Sequence, residues 1–285
     1  MSYKNFRQMI SEKLAHWLFP RLANFCLNSA TGRARRRFAR QGRPKILLDN
    51  TVRGLAVTHE TRWVYEENRG YQARVPVHRP DNKSLEYKQL TYLTSIAHLA
   101  RMGFVELYTS GELDDERFRQ PAGRYTGYGY SDYSLFGGLK IKRVDELVLP
   151  VMGPKAWNLP SAAEQQRARI EAKNDPLFNQ IYDLMSKQLG PKCRQDCWHI
   201  RTAEKYNMYA LLRTDRSLLK SYGSLKHKKP LSDIGPIVVD PIELAKIFGV
   251  SPVPPILLSY NNADWFVRID QAMPNEKRRN RRDYG

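Results

Sequence analysis

Cysteine is scarce in this chain. Its three cysteines, Cys26, Cys193 and Cys197, are too few and odd in number for a disulfide framework. That excludes the small disulfide-stapled folds and fits a reducing compartment, which places the expectation in the cytoplasm. Nowhere does the chain approach the unbroken apolar run of about 20 residues that a membrane span needs. The N-terminal stretch His16 to Leu27 is interrupted by Pro20 and Arg21 and lacks a small-residue cleavage site, so it does not read as a signal peptide. Its richness in Arg and poverty in acids leave a mitochondrial transit peptide as a minor alternative. No internal repeat is visible. Acids are also in short supply, with 29 Asp and Glu against 47 Lys and Arg, a formal net charge of +18. Such a balance attracts polyanions, and nucleic acid is favoured over an anionic membrane surface because no long basic amphipathic helix of the membrane-surface type is present.

Apolar residues are not lacking. At 285 residues and 41% hydrophobic, the chain can bury a sizeable core. Met9, Ile10, Leu14, Trp17, Leu18 and Leu22 form an apolar stripe that predicts a helix to about residue 28. The following Arg33, Arg35, Arg36, Arg37, Arg40 and Arg43 read equally well as a solvated linker or as a grip on a phosphate backbone. Pro44 then opens the buried strand Lys45-Ile46-Leu47-Leu48, which ends at Asp49. The stretch Leu85 to Ala100 predicts an amphipathic helix closed by Gly103, Phe104 to Tyr108 predicts a strand, and Thr109 starts the next helix. Residues 121 to 160, rich in Gly, Pro and Tyr, read as an irregular insertion or hairpin in which Tyr125, Tyr128, Tyr130 and Tyr133 could stack bases. A capping box at Ser161 to Glu164 starts a long polar helix to about Gln188. A helix from Gln195 to Tyr206, a strand from Met208 to Leu212 and a short helix after Asp215 follow. Lys226, Lys228 and Lys229 form a basic loop. Ile237 to Val239 is a last strand, and Asp240-Pro241-Ile242-Glu243 starts a helix closed by Gly249.

Strands alternating with helices predict an α/β domain with a mostly parallel sheet. The division expected is an N-terminal helix and Arg-rich linker over 1–43, a main domain over 44–250 with an insertion at about 121–190, and a basic tail over 251–285. Ligands of such sheets sit beyond the carboxyl ends of the strands. Four acids fall there: Asp49 after the first strand, Glu116 early in the helix after the second, Asp196 opening a later helix, and Asp215 just past its strand. Carboxylates converging in this way repel one another unless a cation neutralises them. Their hard oxygens suit Mg²⁺ or Mn²⁺, which accept phosphate oxygens and activate water.

These residues also carry a family resemblance. Asp196-Cys197-Trp198-His199-Ile200-Arg201-Thr202-Ala203, followed by Leu212-Arg213-Thr214-Asp215, resembles the C-terminal half of a PIN domain, with its D-x-x-H-(I/L)-x-T-A helix and strand ending in T-D. Ile46-Leu47-Leu48-Asp49 resembles the family's opening strand, Leu107 to Glu116 its strand–Ser–helix, and Val238 to Leu244 its closing strand and helix. The resemblance spans about residues 44–250. It departs at Asp49-Asn50-Thr51, where the family reads Asp-Thr-Asn or Asp-Thr-Ser, and in the longer interval between Glu116 and Asp196. It implies a PIN-like three-layer α/β fold and a metal-dependent nuclease, in the first place an endoribonuclease, with Asp49, Glu116, Asp196 and Asp215 as catalytic metal ligands. RNA would be the partner, held by Arg35, Arg36, Arg37, Arg40, Lys226, Lys228 and Lys229 and the basic tail.

Other readings stand beside these. A PIN-like module that binds nucleic acid or a protein without cutting is one. A toxin-like or defence nuclease restrained by a protein partner is another, and a homo-oligomer is compatible with either. Glu112 competes with Glu116, although Thr109-Ser110-Gly111-Glu112 reads as a capping box that would occupy Glu112. Asp196 and Asp215 taken singly read as helix-start acids. Cys193, Cys197 and His199 lack the second pair of ligands of a structural zinc site, so His199 reads as a packed helix residue. His59 and Glu60 lie close after the first strand as weak candidates, and Glu86 reads as a first-turn acid.

Overall fold

A computed structural model describes residues 3–66, 69–76, 81, 83–119, 133–154, 157–254 and 267–268, with side chains over 21–57, 81, 83–117, 134–154 and 157–254. Its centre is a five-stranded, all-parallel sheet: β1 (Lys45–Leu48), β4 (Glu106–Thr109), β6 (Ile141–Arg143), β7 (Ala210–Leu212) and β8 (Ile237–Val239), in the order β6-β4-β1-β7-β8. The expected α/β architecture is therefore present, with helices on both faces. A second, antiparallel sheet contains β2 (Val57–Glu66), β3 (Arg69–Pro76), β5 (Tyr133–Ser134) and β9 (Val267–Arg268). Sequence reading missed the β2–β3 hairpin. Two parts of the tail are described: 251–254, where Val253 is buried and its N donates to Thr91 O at 3.0 Å, and β9, which pairs with β3.

Side-chain alternation explains the layering, because neighbouring residues of a strand face opposite sides of the sheet. Ile46, Leu48, Ala210 and Leu212 join α1 (Tyr3–Gln41), α3 (Leu85–Arg101) and α9 (Pro241–Phe248) in one core. Leu47, Leu211 and Val238 pack on the other face against α4 (Gly111–Arg119), α5 (Ala162–Ala172), α6 (Pro176–Leu189), α7 (Arg194–Lys205) and α8 (Arg216–Leu225). A short helix, α2 (Asn50–Leu55), follows β1 directly.

Three expectations change here. From Arg33 to Arg40 the Arg-rich stretch is not a linker: it is the last part of α1, whose Ala23, Leu27, Ala34 and Phe38 stripe is buried in the core. The long polar helix is two helices, broken at Asn174 (φ 41°) and restarted by Asp175 as N-cap and Pro176 at the first helical position. Part of the stretch read as an insertion belongs to the domain itself, since β6 extends the sheet and Ile170, Phe178, Ile181 and Met185 are fully buried. The N-cap, Pro and Gly signals around α9 and the capping box at Ser161 fold as read.

Chain direction gives the domain two ends. α3, α7, α8 and α9 run antiparallel to the strands, because all but the last lead back to a strand's start. The amino edge of the sheet therefore gathers the ends of these helices, and the carboxyl edge gathers their beginnings. From β1 the chain passes outward to β4 and β6, then returns to β7 and β8 on the other side of β1. The switch in direction lies between β1 and β7, the place where parallel sheets leave a crevice.

A carboxylate cleft at the switch point

The residues after β1 and β7 flank that crevice. Asp49 is the N-cap of α2, with Oδ1 accepting from Thr51 N at 3.0 Å, and Asp215 is the N-cap of α8, with Oδ1 accepting from Ser217 N at 2.8 Å. The helix-start role read for Asp215 is thus present, and Asp49 has one as well, yet each cap uses one oxygen and leaves the other turned toward Arg213. Asp196 comes from the first turn of α7 and Glu116 from α4. All four line one cleft of about 280 Å³ with Asn50, Thr51, Gln195, His199 and Arg213. The structure therefore brings the four predicted acids together.

Two basic side chains that sequence reading did not place in the cleft lie among them. Arg213, whose side chain is 3% exposed, reaches Asp196 Oδ1 at 3.0 Å, Asp49 Oδ2 at 3.3 Å and Asp215 Oδ2 at 3.5 Å. Burial by itself would lower its pKa, but the surrounding Asp49, Asp196 and Asp215 outweigh burial and hold the guanidinium charged. His199 is buried and its Nε2 lies 2.9 Å from Glu116 Oε1. Burial disfavours its imidazolium too, yet Glu116, Asp49 and Asp196 reverse the balance and raise its pKa. Asp196 moves the other way: burial raises its pKa despite Arg213 and His199 nearby. His199 is therefore a cleft residue, not merely a packed one. Its signal was in the sequence, since Asp196 and His199 are three apart and share a helix face. Arg213 had a fainter one, two positions before Asp215 where the strand runs out.

Neutral groups position Glu116. Gln166 Nε2 donates to its Oε1 at 3.2 Å, and Asn50 Nδ2 lies 3.5 Å from Oε2 while donating to Leu113 O at 2.7 Å. Thr51 Oγ1 accepts from Thr214 N at 3.2 Å, so Asn50 and Thr51 both brace the cleft they line. Glu112 is elsewhere. It does not close the capping box expected of it; its carboxylate pairs with Arg169 Nη2 at 2.8 Å, and Gly111 N donates to Asp145 instead. Between the two glutamates, Glu116 is the cleft residue. Glu86 is a first-turn acid of α3 and pairs with Arg216 at 2.6 Å. Cys193 and Cys197 are buried, with their sulfurs 3.8 Å apart. The His59 and Glu60 side chains and Tyr125, Tyr128 and Tyr130 lie outside the described residues, as does the Tyr133 side chain.

Four carboxyl groups against one guanidinium and one imidazole give the cleft an excess of acidic groups. Asn50 Oδ1, His199 Nδ1 and Arg213 Nη1 are buried there without a hydrogen-bond partner, an arrangement expected where water or a ligand completes a site. The donor set suits a hard divalent cation. Asp196 and Asp215 retain 30% and 38% side-chain exposure, so the cleft is open to solvent. As they stand, however, no three His, Cys, Asp or Glu side chains among the described residues are grouped closely enough to hold an ion. The fit is one of charge and chemistry, and it requires Arg213 to share or yield its carboxylates.

The basic residues expected to hold nucleic acid are not at the cleft. Arg35, Arg36, Arg37 and Arg40 sit near the end of α1, and Lys226, Lys228 and Lys229 follow the end of α8, all toward the amino edge. Arg37 ties α1 to α9, donating to Ile247 O at 2.8 Å, and Arg35 folds back on Asn28 O at 2.9 Å. Among the described residues no helix is long and apolar enough to cross a membrane. The chain matches no protein-family model, no curated protein and no solved structure.

Proposed function

We propose that the chain is a divalent-metal-dependent nuclease of PIN-like type, acting on RNA in the first place. The observation that carries this reading is the cleft itself: Asp49, Glu116, Asp196 and Asp215 arrive from four separate elements at the switch point of a parallel sheet. They make that cleft rich in acidic groups on a molecule of net charge +18. The resemblance over residues 44–250 supports the same reading and supplies the preference for RNA.

Asp49, Glu116, Asp196 and Asp215 would hold Mg²⁺ or Mn²⁺. When bound, the cation supplies a water of lowered pKa and a counter-charge for phosphodiester oxygens. Gln166, Asn50 and His199 fix the orientation of Glu116. Arg213 is the one guanidinium among the residues lining the cleft, and a buried positive group beside a phosphodiester stabilises the charge that develops during displacement. Its three carboxylate contacts hold it there before any substrate arrives.

Those same contacts favour a second reading, because Arg213 neutralises the acids internally and a cleft so paired can persist without metal or catalysis. That reading is a PIN-like binding module. The test compares cleavage of labelled single-stranded RNA and DNA, with Mn²⁺ or Mg²⁺, by wild type and Asp215→Asn. Asn is itself a good N-cap, so α8 should survive the change. Cleavage should depend on added metal and fall by at least about 100-fold in the variant. Equal cutting by the two proteins, or none by either, would leave the binding module as the reading.

A further inference from the structure

A second opening with a chemical character of its own lies at the other end of the sheet. A cavity of about 530 Å³ opens beneath the amino edge, with Arg43, Lys45, Asn207, Tyr209 and Ile237 in its walls. A smaller one of about 200 Å³ continues it on the far side of Arg43, toward Lys140 and Lys142. Arg43 lines both. Together they follow the starts of β6, β4, β1, β7 and β8, a path of roughly 19 Å at about 4.8 Å between strands.

The chemistry along this path is consistent. Arg43 and Lys45 are exposed, and Arg36 and Arg40 are exposed on the two preceding turns of α1. Tyr209 keeps 38% of its surface open although its neighbours in β7 are fully buried, and its ring is braced by Phe248 at 5.8 Å between centroids. The two acids in the walls are already engaged: Glu204 accepts from Gly235 N at 2.9 Å, and Glu106 is bonded to Tyr108 and Lys142. A groove with a fixed aromatic face beside cationic side chains is how sequence-tolerant single-strand binding is built, with stacking for the base and cations for the backbone. Helix-end cations such as Lys205 and Lys246 are explained by the helix dipoles, but Arg43 and Lys45 lie outside any helix.

We propose that the groove along the amino edge binds single-stranded nucleic acid, with Tyr209 stacking on a base and Arg43 and Lys45 contacting phosphates, at the end of the sheet opposite the carboxylate cleft. The inference rests on the nucleic-acid part of the function proposed above and adds where the strand is held. It also accounts for the Arg-rich end of α1, which lies toward the amino edge and does not line the cleft.

The experiment measures fluorescence anisotropy of a short labelled single-stranded RNA with the full chain in EDTA, so binding is read without metal or cleavage. Tyr209→Ala should weaken binding on the order of tenfold, and Tyr209→Phe should restore it to within about twofold. Against an abasic strand of the same length, Tyr209→Ala and wild type should bind alike. Arg43→Gln should weaken binding to both strands and reduce the salt slope of affinity by about one. Thermal melting of each variant checks that the Phe248 contact has not cost the fold. Wild-type affinity in both Tyr209→Ala and Arg43→Gln would overturn the proposal, as would binding to anionic phospholipid vesicles with no affinity for the RNA. A chain that binds through these residues but never cuts would overturn only the nuclease reading.

Discussion

At the scale of single residues, Arg213 carries the most consequence. Three carboxylates face one buried guanidinium, and removing a partner from a buried ion cluster costs more than the pairing contributes, because the remaining charges lose their counter-ion. Arg213→Met keeps the bulk and removes the charge. It should destabilise the protein by about 3 kcal/mol at neutral pH, measured by urea denaturation. Mn²⁺ should recover part of that loss if the acids bind metal, because the ion would then supply the missing positive charge. No recovery would indicate that the cluster is a structural one. The sequence showed the four acids, but not the cation between them. A strand that runs out at Leu212 says nothing about whether the next side chain turns inward, and the Arg213 N–H bond to Val239 O is what keeps it in line with the sheet.

At the scale of elements, the site depends on how α4 starts. Gly111 opens that helix so close to the neighbouring chain that a Cβ would sit 2.2 Å from Glu146 O and 2.9 Å from a Val148 methyl. Backbone cannot retreat as a side-chain tip can, so Gly111→Ala should push the start of α4 outward and cost roughly 1–3 kcal/mol. Glu116 rides on the same helix. Metal-dependent cleavage should therefore fall by more than the stability loss explains, which a cleavage assay well below the melting temperature would read. Local signals located most elements well: Asp240-Pro241 and Gly249 bound α9, and Ser161 with Glu164 closes a capping box. They failed where two helices follow one another, because Asn174 and Asp175 break a polar run that carries no change in periodicity. They failed again at β6, whose three residues are too few for an alternating pattern and are a strand only because β4 offers an open edge.

For the whole molecule, the separation of charge is the dominant feature. The cleft at the carboxyl edge is lined by four acids, while the excess of basic residues includes an exposed set at the amino edge. If substrate is held at one end and cut at the other, the length of the strand becomes a variable. Arg36→Glu with Arg40→Glu should raise KM for a long RNA by about tenfold at low salt and leave kcat and the hydrolysis of a short phosphodiester nearly unchanged. Steady-state kinetics on the two substrates would check it, and equal losses on both would place those arginines at the cleft after all.

The sequence by itself determined the fold class, the four acids and the basic character, because each rests on information local to a few residues: an apolar run, a cap, a count of charges. Tertiary structure decided the rest. It chose Glu116 over Glu112 by packing Arg169 against the latter, set Arg213 and His199 among the carboxylates, and sent the arginines of α1 to the opposite edge. Those outcomes depend on which strands become neighbours and which way the helices run between them. Contacts between residues as distant in the chain as Asp49 and Arg213 exist only once the sheet has formed.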